Sequence, residues 1–353
     1  MLVSNMLNWK WYTGNLKWLH ANTIFLTRAG SHSYGTNIET SDEDFRGVAV
    51  PPTKYLHGFL HKFEQADQRD PDVTIFDVRK FVSLAANCNP NIIELLYADE
   101  ADWVVATSRW EVLHRSRDQF LSQRAKHSFS GYAVSQLMRI KTHRRWLLDP
   151  PKGKPDRSTF GLPNETTVPR DQMGVLEACI KKVEDQLGGR GFTRDRVEGV
   201  DEELVRQAVA GTDVSPNLIP IVVAERRYGS AMRNWRQYET WRQERNPARA
   251  ELERKHGYDT KHAMHLVRLM RMAGEIAAGR VVVKRPDADE LRAIRAGVWT
   301  FDQLASWAQE TEASLEAAWA TTKLPKEPNR EALDGLACGV VELFHGMPYM
   351  GPR

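Results

Sequence analysis

Cysteine is scarce in this chain, with Cys88, Cys179 and Cys338 the three among 353 residues. They lie far apart, form no C-x-x-C pair and are odd in number. No disulfide framework or cysteine-rich zinc site is expected, and the thiols read as reduced and set in or near apolar packing. Long apolar runs are missing too, since no stretch approaches the ~18 residues of a membrane span. Polar Asn5, Asn8 and Lys10 interrupt the first segment, which lacks the apolar core of a signal peptide, so a cytoplasmic location and no membrane partner are expected. Neither sign of charge dominates: a net charge of +3 permits a nucleic-acid partner without requiring one. There is no G-x-x-x-x-G-K-[ST], no G-x-G-x-x-G after a strand and no H-E-x-x-H. Their absence disfavours a Walker-type ATPase, a dinucleotide fold, a kinase loop and a zinc protease. Internal repeats and low-complexity tracts are also lacking.

Against that background the segment from Gly30 to Asp44 stands out. Thr23-Ile24-Phe25-Leu26 is β-branched and apolar and reads as a strand entering Gly30-Ser31. Asp42 to Val50 reads as a second strand, ended by Pro51-Pro52. Side chains alternate along a strand, so Asp42 and Asp44 are expected on one face, about 7 Å apart, with Glu43 on the other. Two carboxylates so placed suit Mg²⁺, or Mn²⁺ in its place, a hard cation that takes a few carboxylates together with phosphate oxygens and water. Gly30 lets the backbone approach a phosphate, and the Ser31 hydroxyl and adjoining amides are donors for anionic oxygen. Glycines at 30 and 35 flank what reads as a short helical turn. An isolated Asp-x-Asp is ordinarily an acidic turn; the Gly-Ser turn ahead of it points instead to a metal-bound nucleoside triphosphate.

The first hundred or so residues mix strand and helix patterns, and most of the remaining chain is helical in pattern. Asp72 to Phe76 reads as a third strand, after which Val78, Phe81, Val82 and Ala85 recur at helical spacing, with Asp77 as N-cap. Asn89-Pro90 caps the next helix, whose apolar face is Ile92, Ile93, Leu95 and Leu96. Further helical segments span 109–114, 131–148, 219–245, 248–255 and 259–278, and another begins at 286–290. Asp149 to Pro155 is a stop, and the glycine-rich stretch 187–200 reads as a surface excursion, with helix resuming near Asp201.

Gly-Ser, a short helix and a strand carrying Asp-x-Asp together resemble the polymerase β-like nucleotidyltransferase superfamily. Within it the chain is most similar to the RlaP/YcgL-like family, which is associated with RNA repair. The likeness runs from Gly30 to Val48, then over Phe76 to Leu96, and later over Gly257 to Leu269, three separated stretches in order. The resemblance implies an α+β fold, with a small mixed sheet and a large helical C-terminal part. It implies a nucleotidyltransferase core over 1–107 and a helical domain over 108–353 packed against the active-site cleft. It further implies an enzyme that moves a nucleoside monophosphate from an NTP to a hydroxyl acceptor, RNA by the family's association, releasing pyrophosphate. Open alternatives are nucleotidylation of a protein or small molecule, and a non-catalytic nucleotide- or RNA-binding module on the same fold. A D-x-D glycosyltransferase is a further competitor, disfavoured by the Gly-Ser turn.

Asp42, Asp44 and a third carboxylate on a neighbouring strand would then hold the metal. Asp72, which opens the third strand, is preferred over Glu64 and over Asp77, which by parity lies on the opposite face and has a capping role. Gly30 and Ser31 would bind triphosphate. On the helix over 259–278, Lys261, His265 and Arg268 fall in one stripe, either a nucleotide-binding surface or a solvated basic face. His262-x-x-His265 lacks a third ligand at a telling distance, so it is not expected to bind zinc. Arg139, Lys141, His143, Arg144 and Arg145 with Trp146 read as a charged helix end rather than a single-strand grip. Trp235, Tyr238 and Trp241 read as helix-packing residues rather than base platforms.

Overall fold

The computed structural model describes residues 12, 14–166, 174–175, 178–179, 205–207, 210 and 218–346. The stretch 187–200 and the helix start near Asp201 lie outside the described residues. Five strands form one mixed sheet in the order β3-β4-β2-β1-β5: β1 is Thr23–Ala29, β2 Asp44–Ala49, β3 Gln65–Arg69, β4 Asp72–Asp77 and β5 Trp103–Ala106. β2 runs parallel to β4, and the other neighbours are antiparallel. The α+β class is as the sequence implies. The two edge strands, β3 and β5, escaped the sequence pattern because each is short and carries mostly polar or half-exposed residues.

β2 begins at Asp44, two residues later than expected. β1 pairs with it as far as Ala29↔Asp44 and then turns into the helix Gly30–Tyr34, so Asp42 has no strand to pair with and lies exposed in the segment before β2. The expectation that Asp42 and Asp44 share a strand face is corrected accordingly.

The two faces of the sheet bury different residues. Phe45, Ala49, Val73 and Ile75 point to one, where they meet Leu19, Phe63 and Ala66. The other is covered by helices. Val48 and Phe25 pack there against Val78–Ala86, Pro90–Leu96 and Ser108–Arg115, and the Trp110 ring stacks on Phe25 at 3.6 Å. Asp77 and Asn89 cap the first two of these helices, accepting from the Arg79 and Asn91 amides at 2.7 and 3.1 Å. The helices Arg124–Leu148, Thr260–Ala277, Phe301–Ala320 and Arg330–His345 add Phe129, Leu266, Leu304 and Val340 to the same core.

This sharing decides the division of the chain. Met1–Leu147 and Glu251–Arg353 form one compact unit and Leu148–Ala250 a second. The expected boundary at 107 is absent because the helices beyond it supply the apolar layer over the sheet. In the second unit, Arg157 of the turn Arg157–Phe160 pairs with Glu225 of the helix Ile219–Glu244 and lies over the Tyr228 ring at 5.1 Å. Trp235, Tyr238 and Trp241 succeed one another along that helix, half-buried, with ring centroids 5.9 Å apart. Among the described residues no helix is long and apolar enough to cross a membrane.

A buried charge ties the helix Thr260–Ala277 to the sheet domain. Arg268, 3% exposed, donates to Glu94 of the helix Pro90–Leu96, itself 5% exposed, and its guanidinium lies 3.7 Å from the Tyr34 ring centroid. Tyr34 donates its hydroxyl to the second Glu94 oxygen. Removing one partner of such a pair strands the other charge away from water, which costs about 3 kcal/mol or more. Glu94→Ala should therefore lower the denaturation midpoint sharply. The double replacement Glu94→Leu with Arg268→Met, which leaves no charge behind, should lower it less; chemical denaturation of the parent and the variants checks the order.

Candidate active site

The parallel register of β2 on β4 brings two carboxylates together. Asp44 is the Cα partner of Asp72, so both side chains stand at the starts of neighbouring strands on the helix-covered face. Asp44 also abuts the Gly30 turn: a Cβ at Gly30 would lie 2.2 Å from Asp44 Oδ2, and the residue has φ +62°. Only glycine meets both conditions without strain. Around them Ser33, Tyr34, Arg46, Asn91 and Glu94 line a cleft of about 190 Å³ that also includes Gly30 and Asp44.

Charge in this cleft is finely balanced. Burial, then a side-chain hydrogen bond to Asp72 and the nearby Asp72 charge, raises the Asp44 pKa above the usual carboxylate value, while Arg46 and Lys261 oppose the rise. Arg46 grips Asp72 with both arms, Nη1 to Oδ1 and Nη2 to Oδ2, each at 3.1 Å. Two acids within reach of one proton, flanked by cations, form a site where a cation in contact with both relieves repulsion.

Of the expected site residues, Gly30, Ser31, Asp44 and Asp72 gather at this end of the sheet. Asp42 does not close with them: among the described residues, Asp42, Asp44 and Asp72 do not form a set of ligand atoms all within 4.8 Å. Asp77 is 1% exposed, caps the helix Val78–Ala86 and is paired with Arg79 at 2.6 Å. Glu64 is exposed and pairs with Lys80 at 3.2 Å. The basic stripe separates into three fates. Lys261 lies close enough to Asp44 to act on its ionisation, and His265 is half-buried one turn further on. Arg268 departs from the expected nucleotide-binding role, because it is buried and its charge is committed to Glu94. The helix is buried over most of its circumference, so the stripe is no solvated face either.

Arg46, Tyr34, Asn91 and Glu94 were not expected in the cleft. Arg46 was legible, since it lies two residues after Asp44 and so shares its strand face. Tyr34 sits on the short helix between Gly30 and Gly35 that the sequence shows, whereas Asn91 and Glu94 come from a helix whose placement no local pattern reveals. The basic segment before Asp149 turns partly inward: Trp146 is buried, Arg144 lies 4.6 Å from the Phe301 ring centroid, and Arg139 Nη1 is 3.3 Å from His262 Nε2.

Because Asp44 has a folded pKa above its unfolded one, its ionisation costs folding free energy, and the metal-free protein loses stability as pH rises through the folded pKa. Asp44→Asn removes that loss. In EDTA the variant should melt above the parent at neutral and higher pH, and the gap should close towards pH ~4, the ordinary carboxylate range. A melting series across pH measures it.

Residues 15–147 match the model of the RlaP family, described as an RNA repair pathway DNA polymerase beta family, which bears out over that span the resemblance seen in the sequence. Neither a curated protein nor a solved structure matches the chain.

Proposed function

We propose that the chain is a metal-dependent nucleotidyltransferase that moves a nucleoside monophosphate from an NTP to a hydroxyl of RNA. The observation that carries this reading is the pairing of Asp44 with Asp72 beside the Gly30 turn. The description of the family matched over residues 15–147 supports the reaction class and the RNA repair setting.

Asp44 and Asp72 fit Mg²⁺ or Mn²⁺: two carboxylates at register partners on neighbouring strands offer the adjacent oxygen donors that such a hard ion takes. Asp42, on the exposed segment leading into β2, is the further carboxylate proposed for the metal. When bound, the ion supplies charge neutralisation at the phosphates and lowers the pKa of the attacking hydroxyl.

The chain's own residues do the positioning. Gly30 presents no side chain to the triphosphate, and Ser31 with the first amides of its helix donates to phosphate oxygen. Lys261 adds a cation on the Asp44 side of the cleft, and His265 is the next donor along that helix. Asp72 stands beside the incoming hydroxyl and orients it, and Arg46 fixes the Asp72 carboxylate. The hydroxyl gives its proton to the Asp72 carboxylate as its oxygen bonds to the α-phosphorus, the bond from the α-phosphorus to the bridging oxygen breaks, and pyrophosphate leaves with that oxygen.

Incubation with each α-labelled NTP, Mg²⁺ or Mn²⁺ and RNA bearing a free 3′-hydroxyl should label the RNA. Asp44→Asn and Asp72→Asn should each cut labelling by ~100-fold or more, as loss of a charge-stabilising group does. Asp77→Asn should act mainly on stability. Label appearing in protein instead of RNA would overturn the acceptor, and full activity in Asp44→Asn would overturn the site.

Metal affinity should track the proton on Asp44. The ion needs the ionised carboxylate, so Mn²⁺ binding should be full above the raised folded pKa and fall about tenfold per pH unit below it. Mn²⁺ titration by electron paramagnetic resonance at several pH values checks the slope, which should flatten in Asp44→Asn.

A further inference from the structure

A second set of ligand-type side chains, which includes neither Asp44 nor Asp72, converges from elsewhere in the sequence. His143 comes from the helix Arg124–Leu148, Glu253 from the helix Pro247–His256, and Asp259 is the N-cap of the helix Thr260–Ala277. One ligand atom from each lies within 4.8 Å of the other two. Glu253 and Asp259 are each 2% exposed, and the His143 side chain is 16% exposed. His143 Nδ1 stands 3.9 Å from Glu253 Oε1, beyond hydrogen-bonding reach. Two donors on one ion, each at about 2.0–2.2 Å from it, sit about 3.0–3.5 Å apart, so the His143–Glu253 pair closes on a metal with a shift of under about 1 Å and no pair in the set needs more than about 2 Å.

The surroundings are those of a ligand shell. Asp259 accepts from the His262 amide at 2.9 Å on Oδ1 and from His262 Nδ1 at 2.5 Å on Oδ2. Arg139 Nη1 lies 3.3 Å from His262 Nε2, and a guanidinium has only donors, so Nε2 accepts and Nδ1 carries the proton. His262 thus turns Nδ1–H towards Asp259, and its amide and ring together orient the Asp259 carboxylate. The His143 ring is set in turn by stacking on Trp146 at 5.5 Å and by the edge-on His262 ring at 6.1 Å. Glu253 and Asp259 are both buried, and a dication in contact with both would add attraction to two carboxylates withdrawn from water.

We propose that His143, Glu253 and Asp259 bind a divalent transition-metal ion of the Zn²⁺ or Mn²⁺ class, with His262 as the positioning residue behind Asp259. An imidazole in the donor set favours such ions over Mg²⁺, whereas the all-oxygen pair Asp44–Asp72 suits the harder ion. The site joins three helices that are separate in sequence and pins the start of the helix that carries Lys261.

The test uses the full chain carrying Asp44→Asn and Asp72→Asn, so that the carboxylate pair contributes no binding, stripped with EDTA and titrated with Co²⁺ as a coloured probe. One Co²⁺ per chain should bind with visible ligand-field bands, and Zn²⁺ should displace it and raise the melting temperature. Glu253→Gln, close in shape to the parent residue, and His143→Gln should each weaken Co²⁺ binding by at least ~10-fold. Absence of stoichiometric Co²⁺ bands and of any Zn²⁺-dependent rise in melting temperature would overturn the proposal, as would unchanged bands in Glu253→Gln. If either variant fails to fold, the stoichiometry and the Zn²⁺-dependent melting shift of the carboxylate-pair background decide alone.

Discussion

The parallel pairing of β2 with β4 sets two like charges side by side, Asp44 against Asp72, at a partly buried strand end. Left alone, that arrangement is unfavourable, and the neighbouring structure is organised around it. Arg46, on the same face as Asp44, turns its fork onto Asp72; Lys261 arrives from a helix far along the chain; and Gly30 leaves room for the Asp44 carboxylate where any side chain would collide. An apolar cleft would not need these cations. Their presence is the physical sign that the strand ends are built to carry charge.

A second constraint comes from bringing that helix to the sheet. Thr260–Ala277 is buried on most sides, so a cation such as Arg268 needs a partner in the interior, and Glu94 with Tyr34 supplies it. Burial pushes the Tyr34 hydroxyl pKa well above its ordinary value, so Tyr34 stays a donor, and the three groups act as one hydrogen-bonded unit. Tyr34 ends the turn that begins at Gly30 and Glu94 lines the cleft, so the unit couples the position of the helix to the shape of the site. Buried ion pairs of this kind add little net stability over a well-packed apolar replacement, but loss of one partner alone is costly.

The same helix carries charge to three different places. Asp259 at its start faces His143 and Glu253, Lys261 acts on Asp44, and Arg268 lies in the core. Successive residues of a helix are separated by about 100° each, so a few positions reach three environments. A sequence stripe is thus a weak guide to shared function once the helix is enclosed on most sides.

Local chemistry in the sequence determined the strand entering Gly30, the Asp77 and Asn89 caps, the third strand opening at Asp72, and the opposite-face parity that separates Asp72 from Asp77. These depend on neighbours within a few residues, where alternation, helical period and capping act directly. Tertiary structure decided the rest. It started β2 at Asp44 rather than Asp42, because a strand ends where its partner turns away. It merged the C-terminal helices with the sheet domain, because the helix-covered face of the sheet must be buried by whatever apolar surface the chain provides. It also paired the buried Arg268 with Glu94 and brought His143 to Glu253 and Asp259, since contacts between residues so far apart in sequence are set by packing across elements, on which local periodicity is silent.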